Sequence, residues 1–142
     1  MVHALSEIRR VLVRAGVLID LRPLLEHAPI EVVSAHETLR AGMVDQLPED
    51  RANDEAANRA IARAGEQNWF VKEREDFFPF NYCWDSPKET QEYAETEWAN
   101  WFIVDEEVWR NARSMWAVAN ADARVRIQFK MLIARWKAIK DG

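Results

Sequence analysis

The C-terminal stretch of the chain, residues 124–139, constrains the fold more than any other segment. Polar and apolar residues alternate strictly at its start: the polar ones are Arg124, Arg126, Gln128 and Lys130, and the apolar ones are Val125, Ile127, Phe129 and Met131. A period of two predicts a long β-strand with one covered face. After Met131 the run becomes continuously apolar, so we expect either a core on both faces there or a bulge that changes the facing. We interpret the basic face as solvated, or as paired with Glu73 and Glu75 across strands.

A second strand is predicted over Val17–Leu21, whose residues are apolar apart from Asp20. Such a run is typical of a parallel strand that is covered on both faces. We expect Arg22-Pro23 to end this strand, because proline cannot donate a hydrogen bond to a strand ladder. Apolar residues at helical spacing predict a preceding helix over residues 3–14, with Gly16 as its left-handed cap.

The middle of the chain carries weaker signals. Residues 30–33 and 38–44 are strand candidates that would form a small hairpin. A helix is predicted from Pro48 to Arg63, and Gly65 is its expected stop. The many charges of Trp69–Phe78 indicate an edge strand, or a strand with one face in water.

Two more helices are predicted before the last strand. Ser86-Pro87-Lys88-Glu89 is a capping box with proline at the first helical position, and Asp105 is the expected cap of the next helix. The predicted fold class is therefore α/β, with a small mixed three-stranded sheet. In this sheet Val17–Leu21 and Trp69–Phe78 run parallel, and the long C-terminal strand lies antiparallel between them. A mostly helical domain is the main alternative.

The composition excludes several classes of protein. The 142 residues, 49% hydrophobic and 30% charged, fit a single domain over residues 1–142 with a real core. A net charge of −5 argues against a general electrostatic grip on nucleic acid or anionic lipid. One cysteine, Cys83, excludes an internal disulfide framework, and no stretch reaches the roughly 18 apolar residues of a membrane span. We expect a cytoplasmic protein with no nucleic-acid or membrane partner.

The segment from Leu5 to Asp20 reads LSEIRRVLVRAGVLID. It resembles the helix, turn and fifth strand of class I S-adenosylmethionine-dependent methyltransferases, which typically read L-x-E-x-x-R-V-L-x-P-G-G-x-L. The residues in register are Leu5, Glu7, Arg10, Val11, Leu12, Gly16 and Leu18. Arg14-Ala15-Gly16 replaces the usual Pro-Gly-Gly. The closing strand is similar to the long antiparallel seventh strand of that fold, so the resemblance implies the C-terminal, acceptor-side half of a Rossmann-like methyltransferase.

The resemblance also says where the cofactor of this family lies. It sits on a Gly-rich turn after the first strand, with an acidic residue ending the second strand on its ribose hydroxyls. No two of the four glycines of this chain lie close together: Gly16, Gly42, Gly65 and Gly142. We therefore expect no S-adenosylmethionine bound by this chain alone, and binding only where the missing half is supplied. The implied protein is methyltransferase-like but not catalytically competent alone, as from a truncated gene, a mis-assigned start or a two-chain enzyme.

Other catalytic and metal chemistry is not indicated. The histidines, His3, His27 and His36, have no metal-ligand spacing with one another or with Cys83, so no zinc site is predicted. We interpret Cys83 as a buried or half-buried thiol rather than a nucleophile. No catalytic residue is identified.

Aromatic residues are concentrated from residue 69 onward, where all seven tryptophans lie. They are Trp69, Trp84, Trp98, Trp101, Trp109, Trp116 and Trp136. We interpret most of these rings as core, and some as the lining of a small-molecule pocket or a partner surface.

Candidate substrate-binding residues follow the predicted fifth strand. Ligands of open α/β sheets lie beyond the carboxyl ends of the strands, so we expect Asp20, Arg22 and His27 to line that crevice. Asp20 and Arg22 fit a local cap or ion pair equally well. An apolar wall for the acceptor is expected from five rings, Phe77, Phe78, Phe80, Tyr82 and Trp84.

The fifth strand of the resembled fold has a fourth strand beside it, and no counterpart of that neighbour is recognised here. An apolar strand with an open edge invites pairing with another chain. We therefore expect a homodimer, or a complementary chain, over the Val17–Leu21 edge or the helix of residues 3–14. The alternative function is a non-enzymatic homodimerising or partner-binding domain with an aromatic small-molecule pocket.

Overall fold

The computed structural model describes residues 1–140 as a mixed α/β protein with a mostly antiparallel sheet. The helices are α1 (Val2–Val11), α2 (Pro48–Glu66), α3 (Pro87–Glu97) and α4 (Glu106–Ala117). The strands are β1 (Val17–Leu24), β2 (Pro29–Val33), β3 (Thr38–Met43), β4 (Asp45–Gln46), β5 (Phe70–Trp84), β6 (Phe102–Ile103) and β7 (Arg124–Ala138). Within the described residues, no helix is long and apolar enough to cross a membrane.

The chain forms two compact units. Unit 1 comprises residues 1–22, residues 51–78 and the chain from residue 131 onward, and unit 2 comprises residues 23–50 and 79–130. The two long strands, β5 and β7, each contribute residues to both units. Whether the units fold as the predicted single domain stays a prediction.

The core of unit 1 joins two helices to the sheet through small residues. Ala60 and Ala64 lie one helical turn apart on α2, so α2 approaches its neighbours closely. The other buried members of this core are Leu5, Phe70, Ala134, Trp136 and Ala138. Lys72 Nζ lies 5.6 Å from the centroid of the Trp136 ring, and this cation–π contact covers the outer side of the core.

Two backbone hydrogen bonds in unit 1 fix the place of β7. The Ala138 N–H donates to the Gly16 carbonyl (2.8 Å), and the Ile139 N–H donates to the Trp69 carbonyl (2.9 Å). Successive N–H groups of a strand point to opposite edges, so β1 lies on one edge of β7 and β5 on the other. The long strand therefore lies between the other two, as predicted from the sequence. The parallel course of β1 and β5 stays a prediction.

Unit 2 contains the predicted hairpin. β2 pairs antiparallel with β3, from Pro29 opposite Met43 to Val33 opposite Thr38, and also with the start of β7. The prediction of a three-stranded sheet was wrong, because this hairpin adds two strands to β7 and brings the sheet to five. A separate two-stranded ladder joins β4 and β6.

The course of β1 differs from the prediction in two ways. The strand continues through Arg22-Pro23 to Leu24, whereas we expected it to end there. It is also covered on one face only: its even-numbered residues are partly buried, while Ile19 and Leu21 are 51% and 53% exposed. The apolar run predicted a strand buried on both faces, but apolar composition alone does not say how many faces are covered.

The helix ends show where glycine was misread. α1 ends at Val11, and the left-handed residue that follows is Ala15 (φ 59°) rather than Gly16. Gly16 is required for space, because an added Cβ would lie 2.9 Å from the Val13 carbonyl oxygen. Gly65 lies inside α2 instead of ending it, and the left-handed residue beyond that helix is Asn68 (φ 55°).

The two predicted N-caps have different outcomes. Ser86 caps α3 as predicted: its Oγ accepts from the Glu89 N–H (3.3 Å), and Glu89 Oε2 accepts from the Asp85 N–H (3.3 Å). Asp105 occupies the N-cap position of α4, but its side chain makes no capping hydrogen bond. The side-chain cap by Ser86 is therefore confirmed, whereas the return bond of Glu89 goes to the N–H of Asp85 instead of that of Ser86. The lone Asp105 predicted only the helix start.

The two long strands differ from the prediction in length or in burial. β5 runs on to Trp84 rather than ending at Phe78, and Cys83 near its end is exposed, so the interpretation of a buried thiol was wrong. Along β7, odd-numbered residues are buried up to Phe129 and even-numbered ones from Leu132 onward. Burial alternates in both halves, so neither half of β7 has a core on both faces, and a bulge near Met131 stays a prediction.

Candidate functional site

A small crevice in unit 1 lies where the sequence placed part of the substrate site. Its volume is about 220 Å³. Its apolar lining comes from Met1, Leu5, Leu18, Ile19, Ala57 and Ile61, and its polar lining comes from Asp20 and Arg22. Leu18, Asp20 and Arg22 share a face because strand residues two apart point the same way. The alternation of β1 therefore brings the two predicted polar residues together.

Asp20 and Arg22 form a local ion pair. Arg22 donates from Nε to Asp20 Oδ1 (2.8 Å) and from Nη2 to Oδ2 (3.0 Å), a two-point contact. The third donor, Arg22 Nη1, binds Asn58 Oδ1 on α2 (2.8 Å). The pairing alternative raised from the sequence is thus present, and the pair also forms the polar rim of the crevice.

The chemistry open to this crevice is limited by its size and its charge balance. Three of the five guanidinium N–H groups are already used within the protein, and the carboxylate accepts two of them. Pockets that hold drug-sized ligands have volumes of about 300–1,000 Å³, so this crevice suits a smaller apolar group. An aliphatic side chain or the apolar end of a small molecule fits this description.

His27 does not join these residues in the same unit. It lies in unit 2, in a left-handed turn (φ 61°), with its exposed imidazole Nε2 3.4 Å from Glu26 Oε1. Phe78 belongs to the unit 1 part of β5, where its ring is partly exposed. Phe77 lies in unit 1 as well, whereas Phe80, Tyr82 and Trp84 of the predicted apolar wall belong to unit 2.

Three rings alternate along β5: Phe80, Tyr82 and Trp84. They belong to a larger group of rings that we call the aromatic cluster. Its members are Phe80, Tyr82, Trp84, Tyr93, Trp98, Trp101, Phe102 and Phe129. Trp98, at the end of α3, is its centre and is only 4% exposed. Its ring lies 4.9–6.1 Å from six others of the cluster. Most of these pairs are edge-to-face, the arrangement that aromatic quadrupoles favour.

The aromatic cluster has a buried inner layer and an open outer one. Trp98, Phe102 and Phe129 are buried, whereas Phe80, Tyr82, Tyr93 and Trp101 are all more than a third exposed. Exposed rings that pack on buried ones are held in place, so they offer apolar area at low entropic cost. This surface suits stacking against a planar or apolar ligand. Burial confirms the core interpretation for Trp98, Phe102 and Phe129, and the ligand or partner surface stays a prediction for the exposed rings.

The basic face of β7 is paired rather than open where its contacts are described. Arg126 donates from Nε to Glu31 Oε2 (3.0 Å), and Arg124 donates from Nε to Asp85 Oδ1 (3.1 Å). The partners of Arg124 and Arg126 are therefore not the predicted Glu73 and Glu75. Glu73 pairs instead with Arg135 (2.9 Å), which lies outside the predicted basic face. Glu75 contacts Lys72 on its own strand instead.

The described glycines do not fit a nucleotide cradle. Such a cradle needs glycine in a turn that opens a helix, so that backbone N–H groups reach a phosphate or ribose. Gly42 lies in β3, where an added Cβ would be 2.5 Å from Val108 Cγ2, and Gly65 lies inside α2. Gly16 precedes a strand instead of a helix. Gly16 and Gly42 are required for space, and none of the three glycines lies in a turn that opens a helix, so they do not suit S-adenosylmethionine.

Two contributors to these sites were missed by the sequence analysis. Asn58 lies 36 positions from Arg22, and no local signal links them. Trp98 was named only among the seven tryptophans, although its place between Tyr93 and Trp101 at helical spacing was a signal for an aromatic face. Among the residues that the structure describes, no group of three or more His, Cys, Asp or Glu is arranged to hold a metal ion.

The chain was compared with known protein families, proteins and structures. Neither protein-family models, nor curated proteins, nor solved structures match the chain. The function is therefore argued from the residues and their geometry.

Proposed function

We propose that this chain is the acceptor-side part of a methyltransferase-like domain whose S-adenosylmethionine site is completed by a complementary, Gly-rich half. One observation carries the proposal: β7 lies between β1 and β5, and α1 leads through a tight turn into β1. This is the arrangement that the resemblance implies for the last strands of the domain. Gly16 and Trp69, just before β1 and β5, both bond to the end of β7, which supports a parallel course of these two strands.

The open edge of β1 supports the same proposal. β1 is the end strand of the described order β1-β7-β2-β3, so its second edge is available to another strand. A complementary half would extend the sheet at this edge. The chain is then one part of a cytoplasmic enzyme that is not catalytically competent alone.

The acceptor in this proposal is an apolar or aromatic molecule. The half-exposed rings of the aromatic cluster offer a stacking surface, and the crevice beside Asp20 and Arg22 offers a small apolar recess with a polar rim. Each of these two surfaces would hold an apolar part of the acceptor by itself, and His27 and Phe78 remain predicted contributors. No residue of this chain is assigned to proton or methyl transfer.

Calorimetric titration tests the proposal in two steps. The purified 142 residues should show no saturable heat with S-adenosylmethionine up to about 1 mM. The reading frame upstream of Met1, or a neighbouring gene, should encode a strand followed by a Gly-rich turn. Co-expression of that segment with this chain should restore one binding site per complex, and replacing the first glycine of the turn with valine should remove it.

Two results would overturn the proposal. Tight, one-to-one binding of S-adenosylmethionine by the 142 residues alone would show that no second half is needed. A co-expressed Gly-rich segment that binds the cofactor equally well without this chain would show that the two do not form one site.

The exposed rings favour a second candidate, a non-enzymatic domain that binds an aromatic small molecule. Phe80, Tyr82 and Trp101 would hold such a ligand whether or not a cofactor half exists. Quenching of tryptophan fluorescence by a set of planar aromatic compounds tests this candidate, with the Trp101→Leu variant as the control. Saturable quenching that Trp101→Leu weakens supports the candidate, and quenching that is linear for every compound contradicts it.

A further inference from the structure

The open edge of β1 has a defined set of hydrogen-bonding groups. Gly16 directs its carbonyl to β7, and residues two apart along a strand direct their backbone groups to the same edge. Leu18, Asp20 and Arg22 therefore face β7. Val17, Ile19 and Leu21 direct their N–H and C=O groups to the open edge.

Pro23 is the next residue that faces the open edge, and it has no N–H. Proline is tolerated in a strand where its nitrogen faces away from a paired neighbour, which explains why β1 continues through it. It also limits the open ladder, because a strand pairing beyond Leu21 finds no donor at Pro23. The edge is therefore suited to a short partner strand of about five residues.

The two free edges in unit 1 differ in their side chains. β5 exposes charged residues that pair along the strand, Lys72 with Glu75 and Arg74 with Asp76. Exposed charges of this kind discourage pairing between edges. β1 has only aliphatic side chains on its exposed face over residues 17–21, and its one carboxylate, Asp20, is neutralised by Arg22. The β1 edge lacks this protection.

We propose that the β1 edge pairs with the same edge of a second copy of this chain, antiparallel and about a two-fold axis through Ile19. Val17 then lies opposite Leu21 of the second copy, and Ile19 lies opposite its own counterpart. Each of these opposed pairs exchanges two backbone hydrogen bonds. All of the opposed side chains on this face are aliphatic, so the segment is complementary to itself.

The shape and lining of the crevice are a second argument for a second copy of the chain, independent of the backbone hydrogen bonds. The same register places Leu18 of the second copy opposite Asp20, on the face of β1 that carries the crevice. An aliphatic side chain suits a recess of about 220 Å³ that is lined mainly by apolar residues. Two such recesses meet across the two-fold axis. This inference does not rest on the proposed function, although a complementary half would compete for the same edge.

The interface is small. Standard interfaces bury about 800 Å² on each partner, and one short ladder with a shallow recess lies below that size. We therefore expect a dissociation constant between about 1 μM and 1 mM, so the monomer and the dimer exchange.

Sedimentation equilibrium of the full chain tests the proposal with charged variants of exposed residues. Ile19→Lys places two like charges against each other at the two-fold axis, and we expect it to raise the dissociation constant at least about a hundredfold. Ile19→Glu should do the same. Mixing the two variants should restore a dimer. Val71→Lys, on the equally exposed β5, is the control and should dimerise like the unchanged chain.

Circular dichroism and urea midpoints establish that each variant is folded before its dissociation constant is measured. Monomers for Ile19→Lys and Ile19→Glu, a dimer for their mixture and a dimer for Val71→Lys support the proposal. A monomer of the unchanged chain at the highest soluble concentration overturns it. A dimer that Ile19→Lys leaves intact overturns it as well. Either result leaves the cofactor titration of the proposed function unaffected.

Discussion

The two units differ in the residues that form their cores and in how much of their surface is left open. Unit 2 packs aromatic rings around Trp98 and encloses a carboxylate, Glu31, that is only 5% exposed and lies between Arg126 and Arg40. Unit 1 relies on alanines and Trp136, and it leaves a strand edge and an apolar recess open. The difference teaches that the features open to a second chain lie in unit 1. We expect a partner there, whereas unit 2 encloses its own core and exposes aromatic rings.

The Glu31 ion pairs follow from the register of the sheet. Glu31 lies opposite Arg40 of β3 in one ladder and opposite Arg126 of β7 in the other. A buried carboxylate is costly unless it is paired, and here both neighbouring strands supply a guanidinium. The register of β2 is thus tied to these two contacts, because a shift by one residue would leave the charge buried without a partner.

The largest expected effect comes from removing the centre of the aromatic cluster. Trp98→Ala should lower the free energy of unfolding by about 3–5 kcal/mol, because it deletes a buried ring and leaves a cavity. Trp101→Ala, whose ring is 40% exposed and meets Trp98 alone among the described ring pairs, should cost about 1 kcal/mol. Urea unfolding followed by circular dichroism measures both. Equal losses would remove the distinction between an inner and an outer layer.

A second comparison sets the buried ion pair of unit 2 against an exposed one of unit 1. Glu31→Ala leaves two arginines unpaired near the core and should cost about 3 kcal/mol. Glu73→Ala removes the partner of the largely exposed Arg135 and should cost no more than about 1 kcal/mol. The same unfolding assay applies. A larger loss for Glu73→Ala would mean that unit 1 carries the more important electrostatic contact.

Two glycines should respond to alanine with opposite signs. Gly42→Ala forces a Cβ to within 2.5 Å of Val108 Cγ2 and should cost about 1–3 kcal/mol. Gly65→Ala meets only ordinary contact, 3.8 Å from the Trp136 ring, and should stabilise α2 by about 0.5–1 kcal/mol. Thermal unfolding gives both values. Recovery in Gly42→Ala/Val108→Ala would assign the loss to this contact, and no recovery would contradict it.

The smallest expected effect concerns the turn before β1. Ala15 holds a left-handed conformation (φ 59°), which strains a residue with a Cβ. Ala15→Gly should therefore stabilise the protein by about 0.5–1 kcal/mol. Ala52→Gly, at an exposed position of α2, is the matched control and should destabilise by about as much. Destabilisation in both variants, measured by thermal unfolding, would show that the turn is not strained.

Much of this fold was predictable where the signal is periodic. The alternation from Arg124 onward predicted β7, and the Ser86–Glu89 box predicted the start of α3 and the hydrogen bond from the Glu89 N–H to Ser86 Oγ. Both signals are local, since each needs only the order of neighbouring residues. The alternating rings at Phe80, Tyr82 and Trp84 likewise predicted one aromatic wall.

What the sequence did not predict depends on distant neighbours. The end of β1 was misplaced because the effect of Pro23 depends on which edge is paired, and that choice is made by β7. The partner of Arg22 on α2 and the two partners of Glu31 come from other elements. The local pattern predicted Gly16 as a left-handed cap, because glycine adopts positive φ without strain. In the structure Gly16 is required because a Cβ at this position would be too close to the Val13 carbonyl oxygen.

Amide hydrogen exchange along β1 tests the central claim most directly. At low protein concentration, the amides of Val17, Ile19 and Leu21 should exchange fast, while those of Leu18, Asp20 and Arg22 are protected by β7. At high concentration, the first three should become protected and the others should not change. Protection of all six amides at every dilution would contradict the account, because it would mean that the β1 edge is already covered within one copy of the chain.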